Sequence, residues 1–198
     1  MRTALAAFWI AAGLDWLAAA RDLRRLEYVA KPATLAILLA WAASRPDASP
    51  WLVAALVCSL AGDVFLMLPG DRFAPGLAAF LLAHLAYLVA FPSPWPARLG
   101  WLVVVLLGTS PVAVRIVRAA PAALRGAVVV YLTALAAMTA SALATGDPLV
   151  SAGALLFLAS DALLAWDRFV HAWPGAKLIV HATYHVGQLL LVVALAGA

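Results

Sequence analysis

The sequence predicts an all-α fold, a polytopic membrane helix bundle of about eight transmembrane helices, and three observations carry that prediction. Of its residues 67% are hydrophobic and 11% charged, and mean hydropathy is +1.03. Soluble domains are nearer half apolar and a quarter charged, so the chain belongs to the membrane class. Apolar runs of roughly 15 to 22 residues recur along it, the length that crosses a hydrocarbon core. The links between them, such as RPDASP, PGDRFAP and TGDP, are turn chemistry, and none is long enough to separate domains. Residues 1–198 are therefore expected to form a single integral membrane domain.

The predicted spans are 3–20, 30–44, 51–69, 75–92, 97–118, 123–144, 148–167 and 175–197. The first has the look of a signal peptide with Arg2 as its positive start. Asp15 interrupts its apolar core and further helices follow, so it is expected to remain as an uncleaved first membrane helix. The second span is short and is expected to gain a turn at one end. The third holds Cys58, the lone cysteine, which has no partner for a disulfide within the chain and reads as a small buried hydrophobe. The fifth contains Gly108 and Pro111, where a kink is expected.

Net charge is +4, but the basic residues stand one to three at a time between apolar runs. That pattern suits topology signals and lipid headgroups and argues against a nucleic-acid footprint. Arg21, Arg24, Arg25, Lys31, Arg72, Arg115, Arg118, Arg125, Arg168 and Lys177 fall on the side of the odd-numbered loops, against Arg2, Arg45 and Arg98 on the other. The bias predicts cytoplasmic odd-numbered loops and both termini outside, in the cell (inner or plasma) membrane.

Two halves of the chain run in step. Gly62-Asp63, Arg72-Phe73, Gly76, His84 and Tyr87 are matched in order by Ser160-Asp161, Arg168-Phe169, Gly175, His181 and Tyr184. The acid-to-histidine spacings are 21 and 20 residues. An even number of helices separates the copies, which predicts a parallel four-plus-four duplication with halves at about 1–96 and 97–198.

The two acids are the most informative residues. A carboxylate at mid-bilayer costs roughly 2.5–3.5 kcal/mol even on insertion scales, so both should face the bundle interior. Asp63 lies six residues before Pro69 and Asp161 six before Asp167, which at the helical rise puts both about 9 Å below the same membrane boundary. On the last helix His181, Tyr184, His185 and Gln188 stand at i, i+3, i+4 and i+7, one continuous polar stripe. His84 and Tyr87 share a face of the fourth helix with Phe80 and Phe91. Glu27 and Lys31 flank the entry to the second helix, where Lys31 either snorkels to headgroups or binds a phosphate. Tyr131 and Met138 share one face of the sixth helix, as pocket wall or core. Three site readings compete: carboxylate acid/base work with one acid protonated and one ionised, a metal held by His84, His181 and His185 with the acids, and a proton or substrate path in a lipid or small-solute transporter.

KPATLAILLAW at 31–41, GDVFLML at 62–68, GLAAFLLAHLAY at 76–87, GALLFLASDALLAWDRF at 153–169 and the Tyr184 to Gln188 stretch resemble the YhhN-like lysoplasmalogenase family of eight-helix membrane proteins. The resemblance implies hydrolysis of the vinyl-ether bond of lysoplasmalogen, a lysophospholipid, to a fatty aldehyde and a glycerophospho-alcohol; bilayer lipids are the expected surroundings, and no cofactor is expected. It carries the family's two functional aspartates onto Asp63 and Asp161, its lysine onto Lys31 and its histidine onto His84; His181 and His185 rest on the residue reading alone. The expected site has Asp63 and Asp161 as the acid/base pair, oriented by His84, Tyr87, His181, Tyr184, His185 and Gln188. Lys31, Glu27 and Arg72 are expected to hold the headgroup. Small residues are abundant on every helix, so no oligomer interface stands out.

Overall fold

The computed structural model describes residues 2–196, and among them every regular element is helical. Eight α-helices follow in order: α1 (Arg2–Arg21), α2 (Arg24–Ala43), α3 (Pro50–Met67), α4 (Phe73–Ala90), α5 (Trp95–Ala119), α6 (Ala122–Leu143), α7 (Pro148–Phe169) and α8 (Ala176–Ala196). All eight are long and apolar enough to cross a membrane. Residue 197, the last of the predicted eighth span, lies outside the described residues.

The boundaries follow local chemistry. Ser49 accepts from Trp51 N with Pro50 opening α3, and the Asp147 side chain accepts from Leu149 N and Val150 N with Pro148 opening α7. Each satisfies amides that a helix start leaves without partners. The expected extra turn of the second helix lies at its N-terminal end, since α2 begins at Arg24 rather than at residue 30. Asp22 makes this possible: it adopts φ +54°, the left-handed region that aspartate tolerates, and Leu23 N bonds Ala18 O at 2.9 Å to close α1. Pro32 consequently lies inside α2. Helix α5 continues through Pro111, and Ser110 Oγ bonds Leu107 O at 2.9 Å, the carbonyl that the missing proline N–H leaves free.

Packing contacts close a ring in the order α1, α2, α3, α4, α6, α7, α8 and back to α1, with α5 outside against α6 and α7. Helix α5 has only Val105 and Ile116 buried, so its large apolar side chains face outward, as lipid requires. The ring encloses one aromatic-rich core in which Phe80, Tyr87, Phe157 and Tyr184 pack edge to face. The most extensive pairings are α3 with α4 and α7 with α8. Small residues permit the second: a Cβ on Gly187 would lie 2.9 Å from Gly153 O, and one on Gly153 3.0 Å from Gly187 O. These are the two helix pairs that the sequence repeat matches, and Phe73 and Phe169 from the matched Arg-Phe steps meet edge to face at 5.3 Å.

Candidate functional site

Helix α8 is the hub of the polar interior, and its stripe reaches four neighbouring helices. His181 Nδ1 lies 2.7 Å from Asp15 Oδ2 on α1. The Tyr184 hydroxyl donates to Asp63 Oδ2 on α3 at 2.9 Å. His185 Nδ1 accepts from Trp16 Nε1 at 3.1 Å, and its Nε2 lies 3.1 Å from Thr34 Oγ1 on α2. Gln188 accepts from the Tyr87 hydroxyl on α4 at 2.5 Å and donates to Ser59 Oγ on α3 at 3.1 Å. Four-residue spacing puts the stripe on one face; the closed ring gives each member a different partner.

Asp63 is fully engaged. Its Oδ1 is 3.2 Å from Lys31 Nζ, its Oδ2 takes the Tyr184 hydroxyl, and only 1% of the side chain is exposed. Asp161 is held differently. The Tyr131 hydroxyl donates to its Oδ2, and His84 Nε2 stands 3.4 Å from the same oxygen without making an aligned hydrogen bond. Among the described residues neither His84 nitrogen has a hydrogen-bond partner, and the ring sits edge-on to Phe157 and Tyr131. One aspartate is thus tied to a cation and a phenol, the other to a phenol with an imidazole beside it.

Both acids line a cavity of about 210 Å³ together with Lys31, Glu27, His181 and Tyr184. Lys177 and Arg168 stand at its rim; Lys177 Nζ lies 2.5 Å from Glu27 Oε2, and Arg168 Nη2 lies 2.6 Å from Asp71 Oδ2 and stacks over Phe73. A narrow apolar slot of about 30 Å³ adjoins it between α4, α6 and α7, walled by Leu77, Val128, Tyr131, Leu132 and Phe169. Asp161 borders both the polar cavity and the apolar slot.

Several expected members fall elsewhere. Tyr87 and Gln188 bond each other and Ser59 rather than an acid. Arg72 is exposed at the start of α4 and does not line the cavity. Helix α7 runs on to Phe169, which carries Arg168 to the rim instead. Met138 is fully buried in the core and does not line the cavity, while Tyr131 is a direct partner of Asp161. His181 and His185, the pair with metal-ligand spacing, are occupied by Asp15, Trp16 and Thr34. Among the described residues no three His, Cys, Asp or Glu side chains converge as a ligand set. Asp15, fully buried behind α8, and the rim cation Lys177 were not among the expected site residues. An acid in the middle of an apolar run was the available signal for the first, and pairing with Glu27 is visible only in three dimensions.

Residues 26–195 match the YhhN family. The human protein named lysoplasmalogenase TMEM86B is 39% identical over 140 residues, 71% of this chain and 61% of the human one. Its mouse counterpart is 36% identical over 163 residues, covering 82% of this chain and 71% of the relative. A lysoplasmalogenase of Mycobacterium bovis is 31% identical over 173 residues, 80% of this chain and 66% of the relative. The chain therefore spans about six-tenths of the length of the human relative. No solved structure matches it.

Proposed function

Because the chain belongs to the YhhN family, we propose that it is a membrane hydrolase that cleaves the vinyl-ether bond of lysoplasmalogen-type lysophospholipids by carboxylate chemistry. The observation that carries the reading is the position of Asp161 between a charged cavity and an apolar slot. A lysophospholipid has its scissile bond where a phosphate-bearing glycerol meets a hydrocarbon chain. With the headgroup among Lys31, Lys177 and Arg168 and only the first carbon of the chain at the slot, the rest running on toward the lipid, that bond lies beside Asp161.

Vinyl ethers are cleaved by protonating the β-carbon, which gives an oxocarbenium ion that water captures. The hemiacetal then collapses to aldehyde and alcohol. Asp161, with no lysine or arginine paired to it among the described residues, is the acid; Asp63, paired with Lys31, is the fixed negative charge that stabilises the cation. Two carboxylates in different surroundings with different roles is the arrangement that glycosidases use on a related transition state. The excess of basic residues on the cavity's side supports an opening toward the cytoplasm with both termini outside. A parallel duplication of the four-helix half belongs to the same proposal, supported by the matched α3–α4 and α7–α8 pairs.

The experiment is a comparison of two ethers. Purified protein in detergent should release aldehyde from a vinyl-ether lysophospholipid and leave its saturated alkyl-ether analogue intact, because the analogue has no carbon to protonate. Cleavage of both at similar rates would overturn the protonation mechanism.

A further inference from the structure

Asp15 is wholly buried, and one of its oxygens, Oδ1, has no partner among the described residues. Its other oxygen is 2.7 Å from His181 Nδ1, and an isolated carboxylate is too costly in such surroundings to be incidental. The donor to Asp15 can be identified by proton inventory. Trp16 Nε1 is a donor only, so His185 Nδ1, which receives it at 3.1 Å, carries no proton. The Thr34 hydroxyl donates to Lys31 O at 2.6 Å, which leaves its oxygen to accept from His185 Nε2–H at 3.1 Å. His185 is thereby fixed as a neutral imidazole, and its Nδ1 stands 3.9 Å from Asp15, beyond hydrogen-bond reach. His181 is the imidazole that serves Asp15, and toward an ionised Asp15 its Nδ1 is the nitrogen that carries the proton and donates. Its Nε2 is then the nitrogen without a proton, 4.0 Å from Glu27 Oε1, and His181 lines the same cavity as Asp63 and Asp161.

We propose that His181, oriented by Asp15, is the second proton-transfer group of the site and that Asp15 is its positioning residue. The inference rests on the vinyl-ether reading above and deepens it. Asp63 is poorly suited to take a proton from water, because both of its oxygens are occupied by Lys31 and Tyr184. The steps then balance. Asp161 gives its proton to the β-carbon, forming the C–H bond and the oxocarbenium ion. Water adds to the cationic carbon and its proton passes to His181 Nε2, leaving a hemiacetal and an imidazolium paired with Asp15. The hemiacetal hydroxyl returns a proton to Asp161 as the C–O bond to glycerol breaks. The imidazolium protonates the departing oxygen, and both groups are restored. A carboxylate that holds an imidazole in one tautomer and stabilises its protonated form is an established division of labour.

The test uses the purified full chain in detergent with a vinyl-ether lysophospholipid in D2O. Asp15→Asn and His181→Gln, each checked for a monodisperse, cooperatively melting fold, are expected to lower kcat on the order of 100-fold or more with KM little changed, the scale of losing one proton-transfer group. A structural role would not move the second readout. With Asp161 intact and water capture slow, the oxocarbenium ion reverts, so substrate recovered from either variant should carry deuterium at the β-carbon. Asp161→Asn should give neither aldehyde nor exchange. Full activity in folded Asp15→Asn or His181→Gln, or loss of activity without exchange, overturns the proposal while the hydrolase reading stands. A wild-type protein that releases no aldehyde overturns the reading itself. If one variant fails to fold, the other decides.

Discussion

Lys31 Nζ and Asp63 Oδ1 form an ion pair at 3.2 Å that joins α2 to α3 inside the bundle, with 9% and 1% of the side chains exposed. Breaking such a pair from one side leaves a buried charge without compensation, at a cost of about 3–5 kcal/mol, whereas removing both partners costs far less. Lys31→Met should therefore lower the thermal midpoint in detergent sharply, and Lys31→Met/Asp63→Asn should recover most of the loss while remaining inactive. A double variant no more stable than the single one would mean the pair is not coupled.

Tyr131 and Tyr87 are both buried phenols, but only Tyr131 reaches an acid of the site. Tyr131→Phe removes a hydrogen bond to a carboxyl group worth about 1.5–3 kcal/mol, so kcat for aldehyde release should fall roughly 10- to 100-fold. Tyr87→Phe loses its bond to Gln188, and should cost about 0.5–1.5 kcal/mol of stability with kcat little changed. Equal kinetic effects in steady-state assays would contradict the distinction.

Two arginines that the sequence makes equivalent should differ in phosphate recognition. Arg168 lines the cavity rim and Arg72 does not. Arg168→Gln should raise KM for a lysophospholipid about tenfold or more, the loss of one charge-assisted contact, with kcat nearly unchanged. Arg72→Gln should shift KM by no more than about twofold, as surface substitutions do.

The slot makes a prediction about chain length. Leu77→Trp or Val128→Trp narrows its wall. If about two methylenes of the chain, running past this wall toward the lipid, are displaced at about 0.8 kcal/mol each, kcat/KM for a long-chain vinyl ether should fall roughly tenfold relative to a short-chain one. An unchanged ratio across a chain-length series would move the hydrocarbon elsewhere.

The sequence is most legible where membrane physics leaves few alternatives. Apolar length and punctuating proline, glycine and charge place all eight helices, and the cost of intramembrane acids marks Asp63 and Asp161 as interior residues. The His181 to Gln188 stripe is visible as periodicity, but periodicity says which face a residue occupies and not what it meets. His181 therefore looks like a partner of Asp63 or Asp161, whereas the closing of α8 against α1 delivers it to Asp15. Arg72 and Arg168 are equal in the repeat, and the longer α7 decides between them. The start of α2 eluded the hydropathy pattern because Arg24, Arg25 and Glu27 occupy its first turn, and a single left-handed residue, Asp22, is all that separates it from α1.

The most direct test of the central claim is aldehyde release from a lysoplasmalogen by the purified protein in detergent, with no gradient and no second compartment, beside Asp63→Asn and Asp161→Asn. Release by the wild type that either substitution abolishes, in variants that remain folded, is the predicted result. Full release by folded Asp161→Asn, or none from folded wild-type protein, would contradict carboxylate-based ether hydrolysis.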